Sequence, residues 1–458
     1  MSDCRVTLTP YSDGRMIEKV LVRYDLSGFR GKKGQELFRA QLCTVSVWGA
    51  EPENLAAADE KGDIPLSVRD TEPYPLSLRH WRAQRDTEGH ISVQYDVTPC
   101  EGLKAGHHGP YFQFAHEAGG VSGPGIAFLV DIPDWRGRLS LRWDLSHMPP
   151  GSRGVCTWGE GDVEKEGSLD LLRQIYYALG PVKSIEEGEF GFYWLTEPSF
   201  DVGALADYAR GLFRVMRRFF HDSQGTYRIF MRHDRTETSG GTALMRSYMF
   251  GWNDVQPVSV RDKQNLLAHE MVHNWPTMND EPYGETTWYV EGSAEYYSIM
   301  IPLRAGLITK AQALAEIQRR TDEYYLNPTR HLSDPEAAKI CWQDRRAQRL
   351  AYGRGVFFLA NTDARIRRAT NGEKSLDDVV LSLLSRSDAG EKLGNEAFLG
   401  TVQSIASIDV SEAWRVMHGG GHFAPDPDSF DGLFTLTETQ AKEADTGKDA
   451  VSYRWALR

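Results

Sequence analysis

The chain has 458 residues, 41% of them hydrophobic and 25% charged, with a formal net charge of −12. That length allows several domains with ample core, and the composition is that of an ordinary globular protein. The acidic balance argues against nucleic acid or an anionic membrane surface as partner. Five cysteines (Cys4, Cys43, Cys100, Cys156 and Cys341) are odd in number, far apart and without a Cys-x-x-Cys pair. They imply neither a disulfide framework nor a structural zinc site. The opening residues Met1-Ser2-Asp3-Cys4-Arg5 lack an apolar signal core, and no apolar run approaches the ~20 residues of a membrane helix. A soluble, reducing, cytoplasmic setting is expected, with oligomeric state open.

The first ~190 residues read as β-rich. Lys19–Tyr24, Gln41–Trp48, Ile91–Val97, Ile126–Ile132 and Leu139–Leu145 carry alternating or β-branched patterns, separated by Gly, Pro and Asp clusters. The glycine cluster from Gly119 to Gly125 lacks GxGxxG spacing and reads as a hairpin turn or loop rather than a phosphate cradle. His107-His108 has no evident third ligand and reads as a turn. The texture changes near Pro198. Phe200–Phe220 has helical apolar spacing, and Thr226–Arg232 alternates as a strand before a break at Ser239-Gly240-Gly241-Thr242.

Next comes the segment that carries chemistry, His269-Glu270-Met271-Val272-His273, with Glu291 eighteen positions further on. On a helix, residues four apart lie on one face with Cβ atoms ~6 Å apart, so His269 and His273 can grip one ion. Leu267, Met271 and Trp275 form an apolar stripe, so Asn265–Trp275 reads as a buried helix with one polar side. Glu291 falls in a second helix, Trp288–Leu303, stopped near Pro302 and Gly306. Catalytic zinc takes three protein ligands and keeps a fourth position for water, and Glu270 stands where a general base is needed. Further helices are expected over Thr309–Tyr325, Asp344–Ala369 and Ser375–Ser385, the last opening on a capping box of Ser375 and Asp378, with shorter pieces to Met417. Residues 418–458 give weak signals.

From about Thr226 to Leu384 the chain resembles the glycyl aminopeptidase family, a branch of the gluzincin metallopeptidases with thermolysin-like catalytic domains. Three ordered blocks carry the resemblance. They are His269-Glu270-Met271-Val272-His273-Asn274-Trp275, then Trp288-Tyr289-Val290-Glu291-Gly292 through Tyr296-Tyr297 to Arg304-Ala305-Gly306, and then Tyr352-Gly353-Arg354-Gly355 with Asp363-Ala364-Arg365-Ile366-Arg367 and Lys374-Ser375-Leu376-Asp377-Asp378. The resemblance implies Zn2+ held by His269, His273 and Glu291, with Glu270 as general base and Tyr352 as a hydroxyl donor to the oxyanion formed at a carbonyl. Glu295, one turn after Glu291, is placed to orient a ligating histidine. Where the family often reads Gly-Gly-Leu-Glu-His, this chain has Gly240-Gly241-Thr242-Ala243-Leu244, so Ala243 replaces a glutamate suited to a substrate's amino group. Glu237 is a nearby substitute. The tail after Leu384 shows no signature of the peptide-binding PDZ module that family members often carry.

The expectation is an α+β chain with a β-rich domain over 1–195, a thermolysin-like zinc domain over 196–333 and a helical domain over 334–458. The expected activity is zinc-dependent peptide hydrolysis, aminopeptidase-like with altered N-terminal recognition, with Gly240, Gly241, Thr242 and Ala243 lining an edge strand that pairs with an extended peptide. The rivals are a zinc hydrolase of a non-peptide small molecule (an epoxide, an amide or a biosynthetic intermediate) and an inactive peptide-binding pseudoenzyme.

Overall fold

The computed structural model describes residues 2–44, 47–72, 76–102, 111–223, 225–234, 240–255 and 260–458. His107-His108 and Glu237 lie outside the described residues. The fold is mixed α+β. By internal contacts the chain forms two compact units, Met1–Asp207 with Gln224–Leu266, and Tyr208–Ser223 with Leu267–Arg458. The breaks after Asp207 and Leu266 fall inside helices, Val202–Phe219 and Val260–Val272.

The first unit is built of sheets. A seven-stranded sheet runs in the order Val163–Ser168, Arg136–Trp143, Asp3–Ser12, Ile17–Ser27, Ile91–Val97, Pro52–Asp59, Gly62–Asp63. Along Ile17–Ser27 the residues Val20, Val22, Tyr24 and Leu26 are buried at every second position, the period of a strand with one face on a core. The expected strand over 126–132 is absent. Gly125–Ala127 is a short 3₁₀ turn, and the backbone beyond it is held by tyrosine hydroxyls. Tyr95 donates to the Phe128 carbonyl and Tyr24 to the Val130 carbonyl, both at 3.0 Å. The run is apolar without alternation, so nothing in it favoured a ladder over such side-chain partners. The glycine cluster, read as a hairpin turn or loop, begins in a hairpin turn at Gly119 but continues as a buried strand, Gly120–Pro124, between Ala115–Glu117 and Tyr176–Gly180. A Cβ on Gly123 would meet Phe114 Cα at 2.7 Å, so glycine here serves close strand approach. A five-stranded sheet in the order Lys183–Glu187, Phe190–Trp194, Tyr227–His233, Ser247–Trp252, Gly241–Leu244 ends on the Gly241 strand.

The helices run α1 (Asp170–Arg173), α2 (Val202–Phe219), α3 (Val260–Val272), α4 (Thr287–Arg304), α5 (Lys310–Tyr325), α6 (Asp334–Ile340), α7 (Arg345–Gln348), α8 (Leu350–Ala369), α9 (Leu376–Asp388), α10 (Asn395–Ala406) and α11 (Ser411–His418). The segment read as one helix from Asp344 is α7 and α8, joined at Arg349. The tail with weak signals forms a hairpin, Phe434–Lys442 with Asp449–Leu457, docked on α5. Trp455 donates its indole N–H to Thr321 Oγ1 at 3.0 Å. Thr435, Thr437 and Thr439 alternate with Leu436 and Glu438, so the run holds one aliphatic residue and shows no clear apolar period. No described helix is long and apolar enough to cross a membrane.

Within the second unit α4 and α8 cross backbone to backbone. A Cβ on Gly355 would meet Gly292 Cα at 2.7 Å. Glu291 precedes one of these glycines, and Tyr352 lies a turn before the other. Bare backbone at the crossing brings those two helices together at the site.

Candidate metal centre

α3 delivers the first pair of ligands. Its last turn holds His269 and Glu270, and His273 follows directly after the end at Val272. The tail is pinned by Trp275, whose indole N–H donates to Asp222 at 3.0 Å and whose ring stacks on Phe220 at 4.8 Å. α4 delivers the third. Its start is fixed by Asp280, which accepts from the backbone N–H groups of Gly284 and Thr286 at 3.0 and 2.7 Å and from the Thr287 hydroxyl at 2.9 Å. Trp288, fully buried, donates to Asn395 at 2.9 Å, so it serves packing rather than a substrate pocket.

His269 Nε2 and His273 Nε2 lie 3.1 Å apart, and Glu291 Oε2 is 3.3 Å from the first and 3.5 Å from the second. A tetrahedral zinc with bonds of 2.0–2.1 Å has ligand–ligand edges of about 3.3 Å. The three donor atoms therefore already stand at the spacing the ion requires. Glu291 Oε2 is buried and accepts no hydrogen bond from a described residue, an orphan that a cation satisfies. His269, His273 and Glu291 are also the one grouping of three metal-ligating residues among the described residues whose ligand atoms converge this closely. The residues fit zinc.

The electrostatics agree. Burial pushes the Glu291 carboxyl up, but His273 and His269 outweigh it and hold the group well below the usual range. Burial pushes His273 down, yet Glu291, Glu270 and Glu295 lift it to about 9. A negative potential strong enough to hold a proton there is one that favours a divalent cation. Glu270 is half-buried, and its charge acts on both His273 and Tyr352.

Glu295 Oε1 lies 3.4 Å from His269 Nδ1, the nitrogen away from the cluster, too long for a formed hydrogen bond but close enough to orient the ring. Glu295 is itself clamped by Arg320 of α5, whose Nε donates to Oε2; both side chains are 4% exposed. Burial raises the Glu295 carboxyl, and Arg320, His269 and Arg349 override it down to about 2. Tyr352, in the first turn of α8, lays its ring on His269 with centroids 5.6 Å apart and planes 11° apart. Burial, with Glu291 next, pushes its phenol well above the ordinary value, so the hydroxyl keeps its proton. Arg320 and Arg349 were not legible as site residues, because they reach Glu295 from 25 and 54 positions away and no local spacing announces them.

Gly240, Gly241, Thr242 and Ala243 belong to the other unit. Gly241–Leu244 pairs with Ser247–Trp252 on one side and is the last strand of its sheet. Thr242 Oγ1 accepts from the Tyr111 backbone N–H at 2.9 Å, and Ala243 is half-buried.

The family described as M61 glycyl aminopeptidase matches residues 262–351, which contain both zinc helices. Among solved structures, an aminopeptidase N family protein from Idiomarina loihiensis aligns with a TM-score of 0.68 at 12% identity, covering 98% of this chain and 81% of that one. An M1 zinc metallopeptidase from Deinococcus radiodurans, in a mutant form bound to a Tyr-Ser-Ala substrate, aligns at 0.55 and 16% identity over 93% and 95%. A two-domain M1 zinc metallopeptidase mutant bound to L-arginine aligns at 0.57 and 14% identity over 93% and 95%. A search of curated proteins found no match.

Proposed function

We propose, on the premise that this chain is a zinc metallopeptidase of the gluzincin type, that it cleaves short peptides in an aminopeptidase-like manner without a strict demand for a free amino terminus. One observation carries the reading: three ligand atoms at tetrahedral spacing, with a carboxylate and a protonated phenol set around them.

Bound zinc would be held by His269, His273 and Glu291, and it supplies Lewis acidity that activates water and polarises a carbonyl. Glu270 takes the water's proton on its carboxylate and returns it to the leaving amine nitrogen. Tyr352 donates its phenolic hydrogen to the carbonyl oxygen as negative charge builds there, a bond that strengthens toward the transition state. Glu295, whose Oε1 faces His269 Nδ1 at 3.4 Å, would favour the tautomer protonated there, with Nε2 free to ligate. Peptide and amino-acid ligands in structural neighbours support this substrate class. Ala243 offers only a methyl where the resembling family carries a carboxylate, so it gives an ammonium nothing to pair with.

A peptide-library digest by the zinc-loaded protein, with free and N-acetylated members and an E270Q control, tests the reading. Cleavage of both classes within about tenfold of each other is expected, since losing one exposed ion pair to the amine costs little discrimination. An absolute requirement for the free amine overturns the altered recognition. Silence on all peptides shifts the reading to a non-peptide zinc hydrolase, which Ala243 also favours. The same proposal places the protein in the cytoplasm, in keeping with its free cysteines, and cell fractionation checks it.

A further inference from the structure

Arg349 sits at the junction of α7 and α8, three residues before Tyr352, a spacing that makes the two side chains neighbours on a helix surface. Its guanidinium carbon is 4.1 Å from the centroid of the Tyr352 ring. Its Nη2 lies 3.4 Å from Glu295 Oε1 and 3.3 Å from Glu323 Oε2. Glu295 Oε1 is the same oxygen that faces His269 Nδ1, and the Tyr352 ring is the one stacked on His269. The contacts therefore close a cycle: Arg349 to Tyr352 to His269 to Glu295 and back to Arg349.

An exposed pair with Glu323 is a poor reason for this arrangement, because the two side chains are 30% and 40% exposed and such pairs contribute little. The cycle is a better one. A planar guanidinium can lie against an aromatic ring and still present an edge to a carboxylate, which an ammonium cannot do in one geometry. A phenolic O–H prefers to lie in the plane of its ring, so the contacts that hold the ring plane also limit where the hydrogen can point.

We infer that Arg349 is a positioning residue for the reaction: it fixes the plane of the Tyr352 ring, and so the direction of the phenolic O–H, against the Glu295–His269 pair. The inference rests on the proposed role of Tyr352 as hydroxyl donor. It goes further in assigning the residue that aims that donor.

The test uses the zinc-loaded full chain as R349M, R349K, Y352F and R349M/Y352F. R349M should lower kcat about tenfold with KM within about threefold and zinc content unchanged, as expected when a reacting group is misdirected rather than lost. R349M/Y352F should match Y352F within about twofold, because a residue that acts through the phenol has nothing left to aim. R349K should fall between wild type and R349M. An R349M loss repeated in full on the Y352F background overturns the inference, as does a loss that tracks zinc content. A crystal structure of R349M reads the claim without turnover. The Tyr352 ring should leave its 5.6 Å stack on His269, and a ring that stays in place overturns the inference. If wild-type protein cleaves no peptide, the proposed function falls while the ring position still decides the role of Arg349. If R349M fails to fold, R349K decides by the same measurements.

Discussion

Two charged clusters stand in the helical unit, and they are built on opposite principles. In the first, Arg304, Arg367, Asp363, Asp377 and Asp431 satisfy one another. Asp431 accepts from Arg304 at 2.8 and 2.9 Å and pairs with Arg367 at 2.8 Å. Asp363 accepts from Arg367 at 2.7 Å and from the backbone N–H of Leu376 at 2.8 Å. Asp377 accepts from Arg304 at 2.9 Å and from the Tyr297 hydroxyl at 3.1 Å. Every carboxylate has its donors, and nothing more is needed. In the second cluster, Glu291 Oε2 accepts no hydrogen bond from a described residue, and two imidazole nitrogens face each other at 3.1 Å. A completed network is a brace, and an incomplete one is a socket. Four of the residues through which the chain resembles glycyl aminopeptidases (Arg304, Asp363, Arg367 and Asp377) belong to the brace, so that resemblance records structure as much as chemistry.

The comparison breaks first at the socket. H273A should abolish stoichiometric zinc binding, with affinity falling on the order of 10⁴-fold, since a two-ligand remnant no longer closes around the ion. Metal analysis after dialysis reads this directly. Removing zinc from wild-type protein with a chelator should lower its melting temperature, while H273A should not respond, because only a ligand bound to the native state stabilises it. E270Q should keep zinc and lose about 10³-fold in kcat, the usual scale for a missing proton carrier. Wild-type turnover in E270Q would remove Glu270 from the mechanism.

The brace should fail differently. D363A removes a carboxylate whose side chain is fully buried, leaving the first turn of α9 without its acceptor and Arg367 with Asp431 alone. A loss of about 2 kcal/mol is expected, chiefly from the backbone N–H of Leu376 left without its acceptor, since Arg367 is a third exposed and keeps Asp431. It should appear as the same drop in denaturant midpoint with and without zinc. A drop that vanishes on zinc loading would mean that brace and socket are one cooperative unit.

This difference also explains what could be read from the sequence. The His269, Glu270 and His273 trio is local: one helical turn sets its geometry, so spacing alone announces it. Glu291 was legible because α4 has clear start and stop residues, with Thr286-Thr287 at its start and Pro302 and Gly306 at its end. Glu295 followed from the same turn-by-turn logic. Arg320 and Arg349 did not, because their meeting with Glu295 depends on how α5 and α8 pack on α4. The brace residues were visible as family-like blocks, yet nothing in the blocks showed that Arg304 and Asp431 meet across 127 positions. The hairpin over 434–457 was hidden because exposure in its first strand keeps no single alternation, with Thr437 and Glu438 both exposed, and few of its residues are apolar.

Glu295 lies between the two kinds of cluster, and it gives the finest test. By its partners it looks like brace, since Arg320 and Arg349 neutralise it. By its position it serves the socket, since its Oε1 faces the imidazole nitrogen that does not ligate. Gln keeps the shape of the side chain and an acceptor oxygen but removes the charge that makes His269 a stronger donor to metal. E295Q should therefore bind zinc 10- to 100-fold more weakly, the usual cost of losing a group that orients a ligand. Arg320 retains Glu316 at 2.7 Å, which limits the loss of fold stability. Competition with a chelator of known affinity measures the change. Unaltered zinc affinity together with a lowered denaturant midpoint would move Glu295 to the brace, and the socket would then consist of its three ligands and nothing behind them.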